Sequence, residues 1–156
     1  MKHTILMLSL VGAASGAIAA EVKPGEVSFE YGAVEQSLTG KEGDPARGRE
    51  VVGDKSLGNC VACHAISEMS DVPWHGEIGP PLDGAGERWS EAELRGMLVN
   101  AKEMFPGTMM PAFYKVEGFV RPGDAYTGEA APEDLDPLLT AQQIEDVVAY
   151  LSTLEY

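Results

Sequence analysis

A chain of 156 residues has the length of a single domain, and its 25 acidic against 11 basic residues give a formal net charge of −14. This charge argues against a protein that binds nucleic acid or an anionic membrane surface, because both would repel it. The two cysteines stand three residues apart, which excludes a disulfide framework elsewhere in the chain.

The first twenty residues have the pattern of a secretory signal peptide. Lys2 precedes a long uncharged apolar run, and Ala17 and Ala19 form an A-x-A cleavage pattern. The apolar run is shorter than the ~20 residues that a membrane span needs. We therefore predict cleavage after Ala19 or Ala20 and export to the periplasm, with an uncleaved anchor as the alternative.

An N-terminal extension, residues 21–43, precedes the first helix signal. Asp44 is a suitable N-cap, and Pro45 occupies the first helical position, where proline is favoured. We expect a short helix to begin there and to lead to the two cysteines. The sequence shows little strand signal apart from the run EVSFEY within the extension, so we predict an all-α domain over residues 44–156.

The main chemical motif is NCVACH, residues 59–64. In an oxidising compartment, the thiols of Cys60 and Cys63 would not stay free. They could form a redox disulfide of the C-x-x-C type, bind a structural zinc or bond covalently to haem. A redox disulfide is typical of a βαβ setting, which the sequence lacks. Zinc needs four ligands, and His64 and His75 do not stand at the usual finger spacing.

Haem fits this spacing for a geometric reason. One helical turn brings both thiols to the vinyl groups along one porphyrin edge, and the next residue, His64, then lies below the iron. Neutral imidazole is a good iron ligand. We predict one haem c, bound through thioethers to Cys60 and Cys63, with His64 as an axial ligand.

Two later stretches begin with capping boxes, formed by Ser90 with Glu93 and by Thr140 with Gln143. Each box is followed by apolar residues at helical spacing, which predicts an amphipathic helix. The apolar positions are Leu94, Met97, Leu98 and Ala101 in the first stretch, and Ile144, Val147, Val148, Leu151 and Leu154 in the second.

Residues 107–113, GTMMPAF, lie between these helices and offer a sixth iron ligand. Met110 stands directly before Pro111, which fixes the backbone and cannot continue a helix. Thioether ligation favours ferrous iron and suits electron transfer. We predict Met110 as the second axial ligand and Met109 as the runner-up, with core packing as the alternative role for both. The remaining candidates are Met69, Met97, Met104 and His75.

Taken in order, the motifs CVACH, IGPPLDG, GTMMPAF and IEDVVAYLSTL resemble the class I cytochrome c family. The resemblance implies a class I cytochrome c fold around one covalent haem, over residues 44–156. It also implies that the Pro80 carbonyl accepts a hydrogen bond from the His64 imidazole, which would fix the ligand. Gly48 and Tyr150 look like the small and aromatic pair at which the first and last helices of that family cross.

The run from Ile78 to Phe113, together with the last helix, is similar to the monohaem X subunits of SoxAX cytochrome complexes, which belong to the thiosulfate-oxidising Sox system. This resemblance implies a heterodimer with a SoxA-like cytochrome subunit that holds the catalytic haem. The complex would join thiosulfate to a cysteine of the carrier protein SoxYZ, as an L-cysteine S-thiosulfotransferase. The X subunit would accept the electrons and pass them to a soluble cytochrome c.

The residues themselves favour a non-catalytic role. No cysteine is left for sulfur chemistry after haem attachment, and a methionine ligand leaves no open iron site. The scarcity of lysine favours a committed complex over a basic diffusing shuttle. The alternatives are a free periplasmic monohaem cytochrome c shuttle for another dehydrogenase and a non-haem thiol or metal protein.

A long segment, Phe113–Leu139, separates the methionine loop from the last helix. It is rich in proline, glycine and acidic residues, and a stretch of that length is either a solvated loop or a docking surface. With the extension, it offers Phe29, Phe119 and Tyr126 as anchors for the partner cytochrome.

Overall fold

Four α-helices and four short 3-10 turns form the regular structure of a computed structural model that describes residues 20–120, 122–123 and 127–156. Within these ranges, no helix is long and apolar enough to cross a membrane, and strand pairing is limited to two isolated bridges. The all-α prediction is confirmed.

The predicted signal peptide up to Ala19, and the proposed anchor Tyr126, lie outside the described residues. The helices are α1 (Pro45–Gly53), α2 (Ala85–Arg88), α3 (Glu91–Asn100) and α4 (Ala141–Leu151), and the turns are Pro24–Glu26, Cys60–Ala62, Ser67–Met69 and Ala101–Glu103.

The three helix starts predicted from the sequence are confirmed, each with its capping residue. The Asp44 carboxylate accepts hydrogen bonds from the N–H groups of Ala46, at 2.9 Å, and Arg47, at 3.4 Å. Both predicted capping boxes form at the starts of α3 and α4. These side chains satisfy N–H groups that a helix start leaves without a partner.

Helices α1 and α4 cross at close range, which brings the two ends of the domain together. A Cβ atom at Gly48 would lie 2.8 Å from the Cβ of Tyr150, so only glycine allows this approach. The predicted pairing of Gly48 with Tyr150 is therefore confirmed. Tyr150 is buried, and its hydroxyl donates a 2.6 Å hydrogen bond to Oε1 of Glu68.

The N-terminal extension packs onto the helices and contributes to the same core. Val34 and Leu38 are fully buried. The Val34 N–H donates to the Ala92 carbonyl at 2.9 Å, and the Val22 N–H donates to the Leu38 carbonyl at 2.8 Å. Phe29, one of the proposed anchors, is half-buried against this core. The extension is thus an integral part of the folded domain.

A buried ion pair joins α3, α4 and the extension. Arg95 and Glu145 are 5% and 4% exposed. Three hydrogen bonds join their side chains: Nε to Oε1 at 2.9 Å, Nε to Oε2 at 3.2 Å and Nη2 to Oε2 at 3.0 Å. Oε1 also accepts a 2.7 Å hydrogen bond from the Leu38 N–H, and Nη1 of Arg95 donates to the Val34 carbonyl at 2.9 Å. The pair therefore fixes the extension to both helices.

The long segment is held at its ends, and most of the described residues in its middle are exposed. Phe113 and Leu139 are buried, and the Leu139 N–H donates to the Phe113 carbonyl at 3.0 Å. Between them, Phe119, Val120 and Leu138 expose apolar side chains. These three line a groove of about 570 Å³ that also includes Pro111 and Ala112 of the methionine loop, so the segment borders the candidate site.

Candidate functional site

A single tight turn brings the predicted haem attachment residues together. Asn59 adopts a left-handed conformation, with φ of 47°, directly before the 3-10 turn Cys60–Ala62. The N–H groups of Cys63 and His64 both donate to the Cys60 carbonyl, at 3.1 and 2.9 Å. This turn holds both sulfur atoms and the imidazole on one short rigid unit, as the attachment chemistry requires.

The imidazole of His64 is held by a backbone carbonyl on the second motif. Its Nδ1 lies 2.7 Å from the carbonyl O of Pro80. A carbonyl can only accept a hydrogen bond, so Nδ1 is the donor, and in a neutral imidazole Nε2 then keeps a free lone pair. The contact that the resemblance implied is present, and it leaves Nε2 available for a metal ion.

Close contacts with the His64 ring also explain why a glycine, Gly79, precedes Pro80. A Cβ atom at Gly79 would lie 2.6 Å from Nδ1 and 2.8 Å from Nε2 of His64. The Gly79 N–H donates to the Cys63 carbonyl at 2.8 Å, and the Leu82 N–H donates to the Ala65 carbonyl at 2.9 Å. The second motif therefore runs alongside the first, and only glycine leaves space for the ring.

The two cysteines are half-buried, and Cys60 packs against the core. Burial raises the pKa of the Cys60 thiol to about 12. A reactive or metal-binding cysteine needs a thiolate, which this environment disfavours. A thioether carries no charge and has no such requirement, so burial of Cys60 is compatible with a covalent bond to haem.

The two adjacent methionines have opposite environments. Met110 is half-buried and packs against the core, whereas Met109 is 81% exposed. The Met110 N–H donates to Oγ1 of Thr108 at 3.3 Å, and Nζ of Lys102 donates to the Met110 carbonyl. Of the two candidates, Met110 is the one whose surroundings fit an inward-facing ligand.

The remaining candidates for the sixth position are also buried or half-buried, so Met110 is preferred to them for its place in the loop directly before Pro111. Met69 is buried in the core, and Met97 is half-buried against it. Met104 packs its backbone against Gly32 of the extension. His75 accepts a 3.2 Å hydrogen bond from the Ile66 N–H through Nδ1, and its Nε2 is enclosed by protein atoms without a partner among the described residues.

Sequence reasoning missed two contacts that support this site. The first is the Lys102 hydrogen bond to the Met110 carbonyl, and the second is the packing of the extension on α3. No local pattern marks a lysine that reaches a backbone carbonyl eight residues away. The sequence shows the length of the extension. It does not indicate that Val34 and Leu38 are buried, because the extension has no helical periodicity.

Comparisons with known proteins agree with this geometry. The family model for cytochrome c matches residues 45–155. Among solved structures, the chain is similar to one in "Crystal structure of SoxXA from P. pantotrophus", with 59% sequence identity and a TM-score of 0.83. That match covers 86% of this chain and 98% of the other. A search of curated proteins gave no match.

Proposed function

Because this chain belongs to the cytochrome c family, we propose that it is a monohaem electron-transfer protein and the X subunit of a SoxAX-type complex. A cytochrome c domain implies covalent haem c, and Cys60 and Cys63 lie in the typical position for its attachment. One haem would be bound through these residues, with Nε2 of His64 and the sulfur of Met110 on the iron. The haem supplies one-electron chemistry, and the protein sets its potential and direction.

The observation that carries the proposal is the 59% identity over 98% of a chain in a SoxXA structure. Similarity at that level extends beyond the haem motifs, since the match covers 86% of this chain. The site supports the same conclusion. The Pro80 carbonyl orients His64 at 2.7 Å, and Met110 faces the core. Two axial ligands would leave no iron position for a substrate.

In the proposed assembly, the chain has no catalysis of its own. A SoxA-like cytochrome subunit would hold the catalytic haem and, as an L-cysteine S-thiosulfotransferase, join thiosulfate to a cysteine of SoxYZ. This chain would take up the released electrons and pass them to a soluble cytochrome c. Haem attachment would occupy both of its cysteines, which agrees with a role in electron transfer alone.

The partner surface is proposed to include the exposed middle of Phe113–Leu139 and the tip of the extension. Phe119, Val120 and Leu138 present apolar side chains there. At the tip, Tyr31 is 96% exposed and adopts a left-handed conformation with φ of 51°. Exposed aromatic residues are typical of interface anchors. A stable complex would bury at least ~1,000 Å² in total.

Isolation from the periplasm tests the assembly. The exported protein should be captured at low protein concentration and analysed on a denaturing gel stained for haem peroxidase activity. We expect a stained band at the mature mass, with cleavage after Ala19 or Ala20, and a second, larger stained band. A stained band without the partner would favour a free monohaem shuttle. A colourless band at the mature mass would exclude covalent haem.

Reduction by thiosulfate tests the activity. We expect thiosulfate to reduce this haem only when the SoxA-like subunit and SoxYZ are both present. Oxidised soluble cytochrome c, added afterwards, should then take up the electrons. Reduction by thiosulfate of the isolated chain would contradict its non-catalytic role.

A further inference from the structure

The methionine loop contains a side-chain contact that haem attachment does not account for. The ammonium group of Lys102 donates a hydrogen bond to the carbonyl O of Met110. On the other side of the same residue, the Met110 N–H donates to Oγ1 of Thr108 at 3.3 Å. Both backbone polar groups of Met110 are therefore bonded by side chains.

The backbone around Met110 has little other support. The nearest backbone hydrogen bonds run from the Thr108 N–H to the Phe105 carbonyl, at 3.1 Å, and from the Phe113 N–H to the Leu98 carbonyl, at 3.0 Å. Between them, residues 109–112 make no hydrogen bond to another backbone group within the described part of the chain. Proline at position 111 has no N–H to donate. Side chains consequently determine where this loop lies.

Lys102 itself is anchored to a buried helix end. It lies in the turn Ala101–Glu103, directly after α3. Its N–H donates to Oδ1 of Asn100 at 3.4 Å, and Nδ2 of Asn100 donates to Oε1 of Glu103 at 2.9 Å. Asn100 is buried. The lysine therefore connects the loop to the rigid end of α3.

We propose that Lys102 is a positioning residue for the sixth iron ligand, which it keeps in place by holding the carbonyl of Met110. The inference rests on the proposed ligation of iron by Met110. A hydrogen bond with a charged donor is stronger than a neutral one, and this one closes the base of the loop. Without it, the loop moves away from the iron more often, and an added ligand replaces the thioether more easily.

Imidazole competition in the ferric holoprotein measures this effect directly. Imidazole is titrated against the wild type while the near-infrared sulfur-to-iron band is followed. In Lys102→Leu, which removes the donor, we expect half-displacement at about one tenth of the wild-type imidazole concentration, equivalent to ~1.4 kcal/mol. Lys102→Arg keeps a charged donor and should restore the wild-type value to within about twofold.

The matched control is Lys115→Leu. Lys115 lines the same groove, but its Nζ lies over the Phe119 ring, 5.3 Å from the centroid. We expect no change in its imidazole titration. An equal shift in the Lys102 and Lys115 variants would assign the effect to charge rather than to the hydrogen bond and would overturn the proposal.

Two further results also count against it. Wild-type imidazole affinity in Lys102→Leu would show that the lysine does not hold the ligand. A wild-type protein without the sulfur-to-iron band would reject Met110 ligation itself, which is a different failure. If Lys102→Leu loses its folded far-ultraviolet spectrum, Lys102→Met, which also lacks a donor but keeps a long unbranched side chain, provides the same comparison.

Discussion

The buried pair of Arg95 and Glu145 predicts a large loss of stability when one partner is neutralised. Glu145→Gln keeps the side-chain volume but removes the charge that compensates Arg95. Both residues are almost fully enclosed, so water cannot replace the lost partner. The glutamine oxygen can still accept from the Leu38 N–H, as Oε1 does at 2.7 Å. Its amide nitrogen, however, replaces Oε2, which accepts from Nη2 of Arg95 at 3.0 Å, so two donors then face each other.

The expected magnitude follows from this burial. Removing one partner of a buried ion pair costs ~3–5 kcal/mol, because the other charge stays buried and unpaired. At this chain length, each kcal/mol lowers the melting temperature by ~3 °C. We therefore expect Glu145→Gln to melt ~10 °C or more below the wild type, as followed by far-ultraviolet circular dichroism.

Two comparison variants separate the buried pair from general charge effects. Glu91 also lies near Arg95, at 3.9 Å, but is exposed, so Glu91→Gln should cost less than ~1 kcal/mol. The double variant Arg95→Met with Glu145→Leu should recover part of the loss, since no charge is then buried. If Glu145→Gln were no less stable than Glu91→Gln, the reasoning from burial would be refuted.

Three further predictions concern the site and its partner. Met110→Leu should abolish the near-infrared sulfur-to-iron band of the ferric protein and Met109→Leu should leave it, whereas the reverse pattern would assign the ligand to Met109. Gly79→Ala should displace the His64 ring, because a Cβ would lie 2.6 Å from Nδ1; the variant should then show high-spin iron, and a wild-type Soret spectrum would contradict this. Deleting the exposed middle of Phe113–Leu139 should weaken partner binding at least tenfold in a pull-down titration and spare the sulfur-to-iron band, and full binding would make the segment a surface loop only.

Local chemistry explains why the helix starts and haem motif were predictable from the sequence. A cap such as Asp44 acts on N–H groups within three residues, so its signal lies within one short window. The CVACH unit is equally local, because a single turn positions both sulfur atoms and the imidazole. The contact between His64 and Pro80 spans 16 residues and was expected only from resemblance to a family.

The parts that were not predicted depend on contacts between distant residues. Arg95 and Glu145 are 50 residues apart, and charged residues on amphipathic helices usually face water. Nothing near either residue indicates that the extension covers them. Val34 and Leu38 are buried by this packing alone, since the extension has no helical period of its own. Contacts with distant residues determine the burial of Val34 and Leu38. The length of residues 21–43 alone therefore predicted an extension that precedes the helical domain, and not one that packs on its core.

The crossing of α1 and α4 also has a consequence for the order in which the protein folds. The Asp44 N–H donates to Oδ1 of Asp146 at 2.9 Å across a separation of 102 residues. Contacts of such high sequence separation form slowly, because a long loop must close first. Almost the whole domain must be synthesised before this crossing can form. Since Cys60 and Cys63 lie between Asp44 and Asp146, the crossing closes a loop that contains the predicted haem attachment motif.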